Sequence, residues 1–396
     1  MVTPRDTGVT ERRRPALPRE VAAQAAAALT LRGLPGVGPV RFRELVDRFG
    51  GPREALAANP ADFAGMAGRR AEENRVPGVP ARHAREMVER CADTGIALLV
   101  YGTDGYPPAL NDLNAPPSLL YARGRTELLR EPGVAVVGSR RATAYGRRIA
   151  AQLGASLAGQ GRCVVSGMAM GVDAAAHRGA LPGPTAAVLG SGVDVVSPPR
   201  NGALYRDIVE CGVVVSEYAP GVEAEPHHFP VRNRIIAALA RDVVIVEASR
   251  RSGALITAGL ALDLGREVHA VPGPIDRPTS EGTNRLIADG AGVIVDTGLQ
   301  DAALHGAPPP VEPELRELLA VIPAAPVTVE EVALAADLPV TEVATSVTVL
   351  ELRGYLTPTR DGRVMRTPGQ AGMVVREKQR GASPLGNEMY TTHYKM

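Results

Sequence analysis

The sequence predicts an α/β protein. A parallel sheet with helices on both faces follows an all-helical segment and precedes a small helical domain closed by a β-hairpin. Three observations predict it. From residue 132 to 296, short unbroken apolar runs alternate with helical windows, which is how strands buried on both faces read. Residues 19–94 carry Ala-rich and amphipathic windows instead. Beyond the proline-rich break Ala307-Pro308-Pro309-Pro310, three helical windows lead into two short strand candidates.

Taken in order, Glu20–Leu31 is an Ala-rich helix. Leu34-Pro35-Gly36-Val37-Gly38-Pro39-Val40 then precedes an amphipathic run, Arg41–Phe49, with Val40, Leu45 and Phe49 on one face. Two glycines one residue apart suit a hairpin between helices. They also suit backbone N–H groups presented to a phosphate, so this stretch resembles a helix-hairpin-helix (SAM-like) motif; a plain packed turn gives the same letters. Further helices are expected over Pro52–Ala58 and Ala81–Thr94. Ile96–Tyr101 and Leu119–Tyr121 form a strand-rich lead-in.

The sheet strands are expected at Val134–Val137, Cys163–Val165, Thr185–Leu189, Val213–Ser216, Val243–Val246, Val268–Val271 and Val293–Val295. The intervening helices are Tyr145–Ala158, Asp173–Leu181, Gly202–Cys211, Arg232–Leu239 and Ala254–Leu264. This alternation defines a Rossmann-like α/β core, in which ligands bind beyond the carboxyl ends of the strands. After the linker, Glu314–Val321, Val329–Ala336 and Val340–Arg353, then Tyr355–Thr357 and Val364–Arg366, describe a winged helix. The expected organisation is a disordered N-terminus (1–18), a helical domain (19–94), the α/β domain (95–305), the winged helix (306–366) and a disordered tail (367–396).

Composition narrows the function. At 45% hydrophobic and 22% charged, the chain has ample material for a core, and no run approaches the ~18 apolar residues of a spanning helix. Met1–Pro18 has no apolar signal segment. Cys91, Cys163 and Cys211 form neither a disulfide framework nor a metal pair, so a cytoplasmic, reducing location is expected. A net charge of +1 excludes a histone-like polycation, so any polyanion site must be a local arginine cluster. The only lysines are Lys378 and Lys395, so no Walker A lysine exists in the α/β segment.

Three small-residue loops end successive strands: Gly138-Ser139-Arg140-Arg141, Ser166-Gly167-Met168-Ala169-Met170-Gly171 and Gly190-Ser191-Gly192. Each can turn sharply into a helix N-terminus, and Arg140 can fork onto a phosphate. Together they read as an anion-binding rim. The dinucleotide fingerprint G-x-G-x-x-G is absent, so no nucleotide cofactor is expected. Phe229-Pro230-Val231-Arg232-Asn233-Arg234 sets an aromatic beside two arginines in a chain with four Phe and no Trp. An aromatic that stacks a base, with guanidinium groups on the flanking phosphates, suits single strands; a core position for Phe229 fits as well. Ser252-Gly253 after Val246-Glu247-Ala248 is a further small-residue helix entry.

Catalytic groups are sparse. His227 and His228 are adjacent with no carboxylate at metal-ligand spacing. Asp173 and His177, four apart on a helix, read as a helix-stabilising contact in preference to an acid–base pair. No nucleophile elbow is present. Neither metal nor catalytic residue is expected.

The ordered motifs GSRR with Tyr145-Gly146, SGMAMGVDAAAHRGAL, LGSGVDVVSPPRN, FPVRNRII, VVIVEA, SGALITAGLALDLGREVHAVPG and EGTNRLIADGA resemble the DNA-processing protein A family (DprA, also called Smf), over roughly residues 20–366. The resemblance implies an extended Rossmann core that dimerises, binds single-stranded DNA without catalysis and loads the RecA recombinase on DNA taken up in natural transformation. By position it implies that Gly138, Ser139 and Arg140 hold phosphate and that Ser166 and Gly167 line the same pocket. Phe229 would stack a base, and Arg232, Asn233 and Arg234 would contact the strand. Met170, Ser197 and Ala238-Leu239-Ala240 depart from the usual family residues.

Two other readings stand beside this one. A related Rossmann group, the nucleoside monophosphate phosphoribohydrolases, shares glycine loops, but its P-G-G-x-G-T-x-x-E signature is absent. A pure interaction scaffold would rest on the winged helix. That segment carries five arginines against nine carboxylates, so it is expected to avoid duplex DNA and to make protein contacts.

Overall fold

The apolar runs of the middle segment pair into one nine-stranded sheet of order β1-β2-β6-β5-β4-β3-β7-β8-β9. The strands are β1 (Ala97–Val100), β2 (Leu119–Gly124), β3 (Gly133–Val137), β4 (Val164–Ser166), β5 (Thr185–Val188), β6 (Val213–Ser216), β7 (Ala240–Ile245), β8 (Glu267–Ala270) and β9 (Gly292–Val293). In this computed structural model the described residues are 17–298, 312–323, 325–352, 355–359 and 362–366. The expected N-terminal segment up to residue 16, the linker 307–310 and the tail 367–396 lie outside them. The chain forms two compact units, residues 1–300 and 301–396.

β3 to β9 pair in parallel, whereas β2 joins β6 and β1 joins β2 antiparallel. The lead-in is thus the antiparallel edge of the same sheet. From β3 the chain winds outward through β4, β5 and β6, then crosses back to β7 on the other side of β3. The loops after β3 and β7 therefore diverge. In open α/β sheets this switch point opens a crevice at the carboxyl ends of the strands. Val134, Ala135, Val136, Val243, Val244 and Ile245 are fully buried there, as a doubly covered sheet requires.

The connecting helices are α7 (Ala144–Gly159), α8 (Val172–Ala180), α9 (Gly202–Cys211), α10 (His228–Ala238), α11 (Gly253–Asp263) and α12 (Glu281–Ala288). α10 starts four residues earlier than expected. Pro230 falls within its first turn, where a missing N–H breaks no intrahelical bond, so the helix takes in Phe229.

The N-terminal helices α1 (Arg19–Gly33), α2 (Pro39–Phe49), α3 (Pro52–Ala57), α4 (Pro60–Ala67), α5 (Arg69–Glu73) and α6 (Arg82–Thr94) share the first unit with the sheet. Ala25, Ala27, Ala28 and Leu31 give α1 a flat buried face against α3, α6 and β1. Tyr101 donates to the Asp47 carboxylate at 2.8 Å, and Arg43 to the Leu113 carbonyl at 2.9 Å, tying α2 to the sheet. α4 and α5 escape the sequence reading because both are too short to show periodicity; a proline and the Asn59 cap start α4.

In the second unit, α13 (Pro313–Val321), α14 (Val329–Ala336) and α15 (Val340–Leu352) precede the antiparallel pair β10 (Leu356–Pro358) and β11 (Val364–Arg366). Thr328 and Glu331 form a reciprocal capping box at the start of α14. Leu319, Ile322, Val343, Leu350 and Val364 close its core. This is a winged helix. Among the described residues of the chain, no single helix is long and apolar enough to cross a membrane.

Candidate nucleic-acid interface

Three loops lock together at the switch point. Ser139 N–H donates to the Glu247 carbonyl beyond β7 at 2.7 Å, and the Ser139 carbonyl accepts from Val172 N–H at 3.2 Å. Arg141 N–H donates to Ser139 Oγ at 3.1 Å, turning the chain toward α7. Gly171 has φ +84°, and a Cβ there would meet the Ser139 carbonyl oxygen at 2.2 Å. Gly138 is equally confined, between Val172 and the Glu247 carbonyl.

Out of this scaffold stands Arg140, exposed, with its guanidinium carbon 4.5 Å from the Phe229 ring centroid. Phe229 is half-buried and also lies against Gly190, where a Cβ would lie 3.1 Å from the ring. Three segments singled out in the sequence thus meet in one corner: the loop after β3, the loop after β5 and the first turn of α10. A guanidinium over an aromatic face is a cation–π pair, and its outer plane is free to stack a base or bind a phosphate.

The structure corrects the expected roles of Ser166, Gly167, Arg232 and Arg234. Ser166 is fully buried and its hydroxyl donates to the Val136 carbonyl at 2.7 Å. Gly167 N–H donates to the Asp173 carboxylate at 3.2 Å, so that amide is spent internally. Arg232 is 4% exposed and donates to the carbonyls of Gly167, at 3.0 Å, and Val188. It braces the ends of β4 and β5 from inside. Arg234 pairs with Glu217 at 2.5 Å. Asn233 bridges, accepting from Arg232 Nε at 3.2 Å and donating to the Gly253 carbonyl at 3.4 Å.

Helix N-termini also prove less available than expected. Glu247, buried, accepts from Thr143 N–H at 2.8 Å and from its hydroxyl at 2.5 Å, which places a carboxylate at the start of α7. Asp173, at the start of α8, accepts from Gly167 and Ala169. Burial pushes the Asp173 carboxyl up, with Arg232 and these two amides opposing. Burial pulls the Arg232 guanidinium down to about 10, with Asp173 opposing. Both helix dipoles are thus answered by the protein's own carboxylates. The exposed positive groups beside these loops are the side chains of Arg140 and Arg141.

His177 does not pair with Asp173. Thr185 donates its hydroxyl to the Val164 carbonyl at 2.8 Å, so it accepts at 2.7 Å from His177, whose Nδ1 carries the proton. Burial, with Arg232 adding to it, drives the imidazole down to about 3, so it is neutral. This is a structural hydrogen bond.

Sequence reasoning missed Arg250 and Arg251, exposed on the loop after β7 and without a carboxylate partner among the described residues. Their signal was the pair of arginines directly before Ser252-Gly253. It also missed Glu225, which a tight turn, closed by His228 N–H on the Glu225 carbonyl at 3.0 Å, folds back toward His227 and His228. At the N-terminal glycine hairpin, Arg41 donates to the Gly36 carbonyl at 2.8 Å. On α15, Thr341, Glu342, Thr345 and Thr348 are exposed, and the helix carries no basic residue. Arg353 and Arg360 fall outside the described residues.

Fold and site define an α/β protein with an arginine–aromatic corner at the sheet switch point, extended by a winged helix. Residues 97–303 match the family described as DNA recombination-mediator protein A, and residues 302–370 match the DprA winged helix domain. The Escherichia coli Protein Smf is 37% identical over 286 residues, covering 67% of this chain and 76% of that protein. The Streptococcus pneumoniae DNA processing protein DprA is 43% identical over 193 residues, covering 48% and 68%. A solved structure of DprA from S. pneumoniae, 33% identical, superposes with a TM-score of 0.58 over 69% of this chain and 95% of that one. The chain belongs to the DprA/Smf family of DNA-processing proteins. Membership carries the non-catalytic reading with it.

Proposed function

We propose that this protein binds single-stranded DNA across the switch-point crevice, acts as a homodimer in the cytoplasm, and hands the strand to the RecA recombinase during recombination of incoming DNA. The observation that carries the binding step is the Arg140–Phe229 corner. An exposed guanidinium stacked on an aromatic offers both a phosphate contact and a base platform, the pairing that unpaired strands use. Ser139 and Gly138 shape the loop that presents it. Asn233 and the buried Arg232 hold the floor, and Arg141, Arg250 and Arg251 extend the positive edge. The phosphoribohydrolase reading gains nothing: its signature is missing and both matched domains belong to DNA-processing proteins.

The test is fluorescence anisotropy of a labelled oligonucleotide with the full chain, single-stranded against duplex. Preferential, saturable single-strand binding that Arg140→Ala weakens supports the reading; equal duplex affinity, or an unaffected variant, contradicts it. Light scattering in the same buffer reads the dimer. RecA loading is read as faster filament formation on strands coated with single-strand-binding protein.

A further inference from the structure

Beside the corner lies a cluster that DNA binding does not use. One ligand atom from each of Glu225, His227 and His228 falls within 4.8 Å of the other two. His227 Nδ1 and Glu225 Oε2 already stand 3.3 Å apart. Bonds of ~2.0–2.1 Å in a tetrahedral site place neighbouring ligand atoms ~3.3–3.4 Å apart, so this edge has the spacing a zinc-like ion requires.

The third member supplies the independent observation. His228 is only 7% exposed and is stacked on Tyr218, with ring centroids 4.0 Å apart. Its Nδ1 lies 2.9 Å from the Gly190 carbonyl oxygen. The Glu225 backbone N–H lies 3.3 Å from the same Nδ1, so both backbone contacts of the ring fall on that nitrogen and none on Nε2. Nε2 has no hydrogen-bond partner among the described residues. A ring held by the backbone on one nitrogen and open on the other is how metal-binding histidines are oriented.

We propose that Glu225, His227 and His228 form a binding site for a divalent transition ion of the zinc class. Two imidazoles and one carboxylate suit such an ion better than calcium or magnesium, which favour all-oxygen shells. His227 and Glu225 are exposed side chains at the entry to α10, so closing the remaining gap moves little else. Three protein ligands leave a fourth position open to water or an incoming anion. An ion held there fixes the turn that carries Phe229, the next residue after His228.

The experiment titrates ZnCl2 into the full chain, stripped of metal, by calorimetry, with Co(II) absorbance as a second readout. One ion per chain is expected, with visible Co(II) bands. Glu225→Gln and His227→Gln should each weaken binding at least ~10-fold, while His83→Gln, an exposed histidine elsewhere, leaves it unchanged. Both test residues are exposed, so folding is preserved, and a thermal melt without metal verifies this. No saturable binding, or the same affinity in both Gln variants as in wild type, overturns the site. The titration contains no DNA, so its result is independent of the single-strand reading.

Discussion

Removing Arg140 and Phe229 singly and together separates a working corner from two neighbouring residues. In the free protein the guanidinium lies 4.5 Å over the ring, so each side chain holds the other in place. Phe229→Ala should cost ~1–3 kcal/mol of single-strand affinity if a base stacks there. Arg140→Ala removes one phosphate contact, lowering the slope of log K against log salt by ~0.7. The contact between them is worth ~0.5–1 kcal/mol at an exposed site. The double variant should therefore retain about two- to fivefold more affinity than the two separate losses multiplied together. The assay is oligonucleotide anisotropy at fixed salt for all four proteins, with urea unfolding as the stability control. Additivity to within ~0.3 kcal/mol would mean that the pair does not act as a unit. Wild-type affinity in both single variants would remove the corner from the binding site.

Further outcomes follow from the interior. His177 is held neutral by burial, near 3 when folded against 6.5 when free, so the unfolded chain binds the extra proton between those values. Stability is therefore lost as pH falls below 6.5, by ~2 kcal/mol at pH 5 from this group. Urea unfolding at pH 7 and pH 5 should show a smaller fall in His177→Gln than in wild type, a comparison that cancels the opposing effect of Asp173. Gly146→Ala would place a Cβ 2.4 Å from the Glu247 carboxyl carbon, and overpacking of this kind costs ~1–3 kcal/mol in thermal or urea unfolding. The isolated fragment 306–366, titrated into a labelled duplex at low salt, should show no binding at micromolar concentration, because α15 exposes threonines and Glu342 in place of basic residues. Micromolar binding would return the winged helix to duplex recognition.

Most of the fold was legible because buried parallel strands have a simple signature. Val134–Val137 is an unbroken apolar run, and Val213–Ser216 and Val268–Val271 are interrupted only by Ser216 and His269; each became a strand within a residue or two. The last strand, expected over Val293–Val295, forms only as the two-residue β9, Gly292–Val293, at the exposed edge of the sheet. α4 and α5 were lost for want of length, and α10 began early because Pro230 reads as a breaker unless it falls in the first turn. At the site, letters marked the loops but not which side chains face in. Arg232 reads like Arg140 in the sequence. Its environment is set by Asp173 and the Val188 carbonyl, distant in the chain and brought together by β4 and β5. The silencing of two helix N-termini by Glu247 and Asp173 was likewise invisible, since each carboxylate lies outside the loop it serves or folds back onto it.

Electrostatic capture of an unpaired strand at the switch point by a few exposed arginines underlies the proposed function. Its direct measurement is the salt dependence of single-strand affinity for the full chain. Contacts from Arg140 and Arg141 alone give a slope near −1.4 in log K against log salt, and engagement of Arg250 and Arg251 as well brings it near −2.8, at ~0.7 per phosphate. Wild type should show a slope between these limits, with Arg140→Ala shallower by ~0.7. An affinity indifferent to salt, or a slope unchanged in that variant, would contradict it.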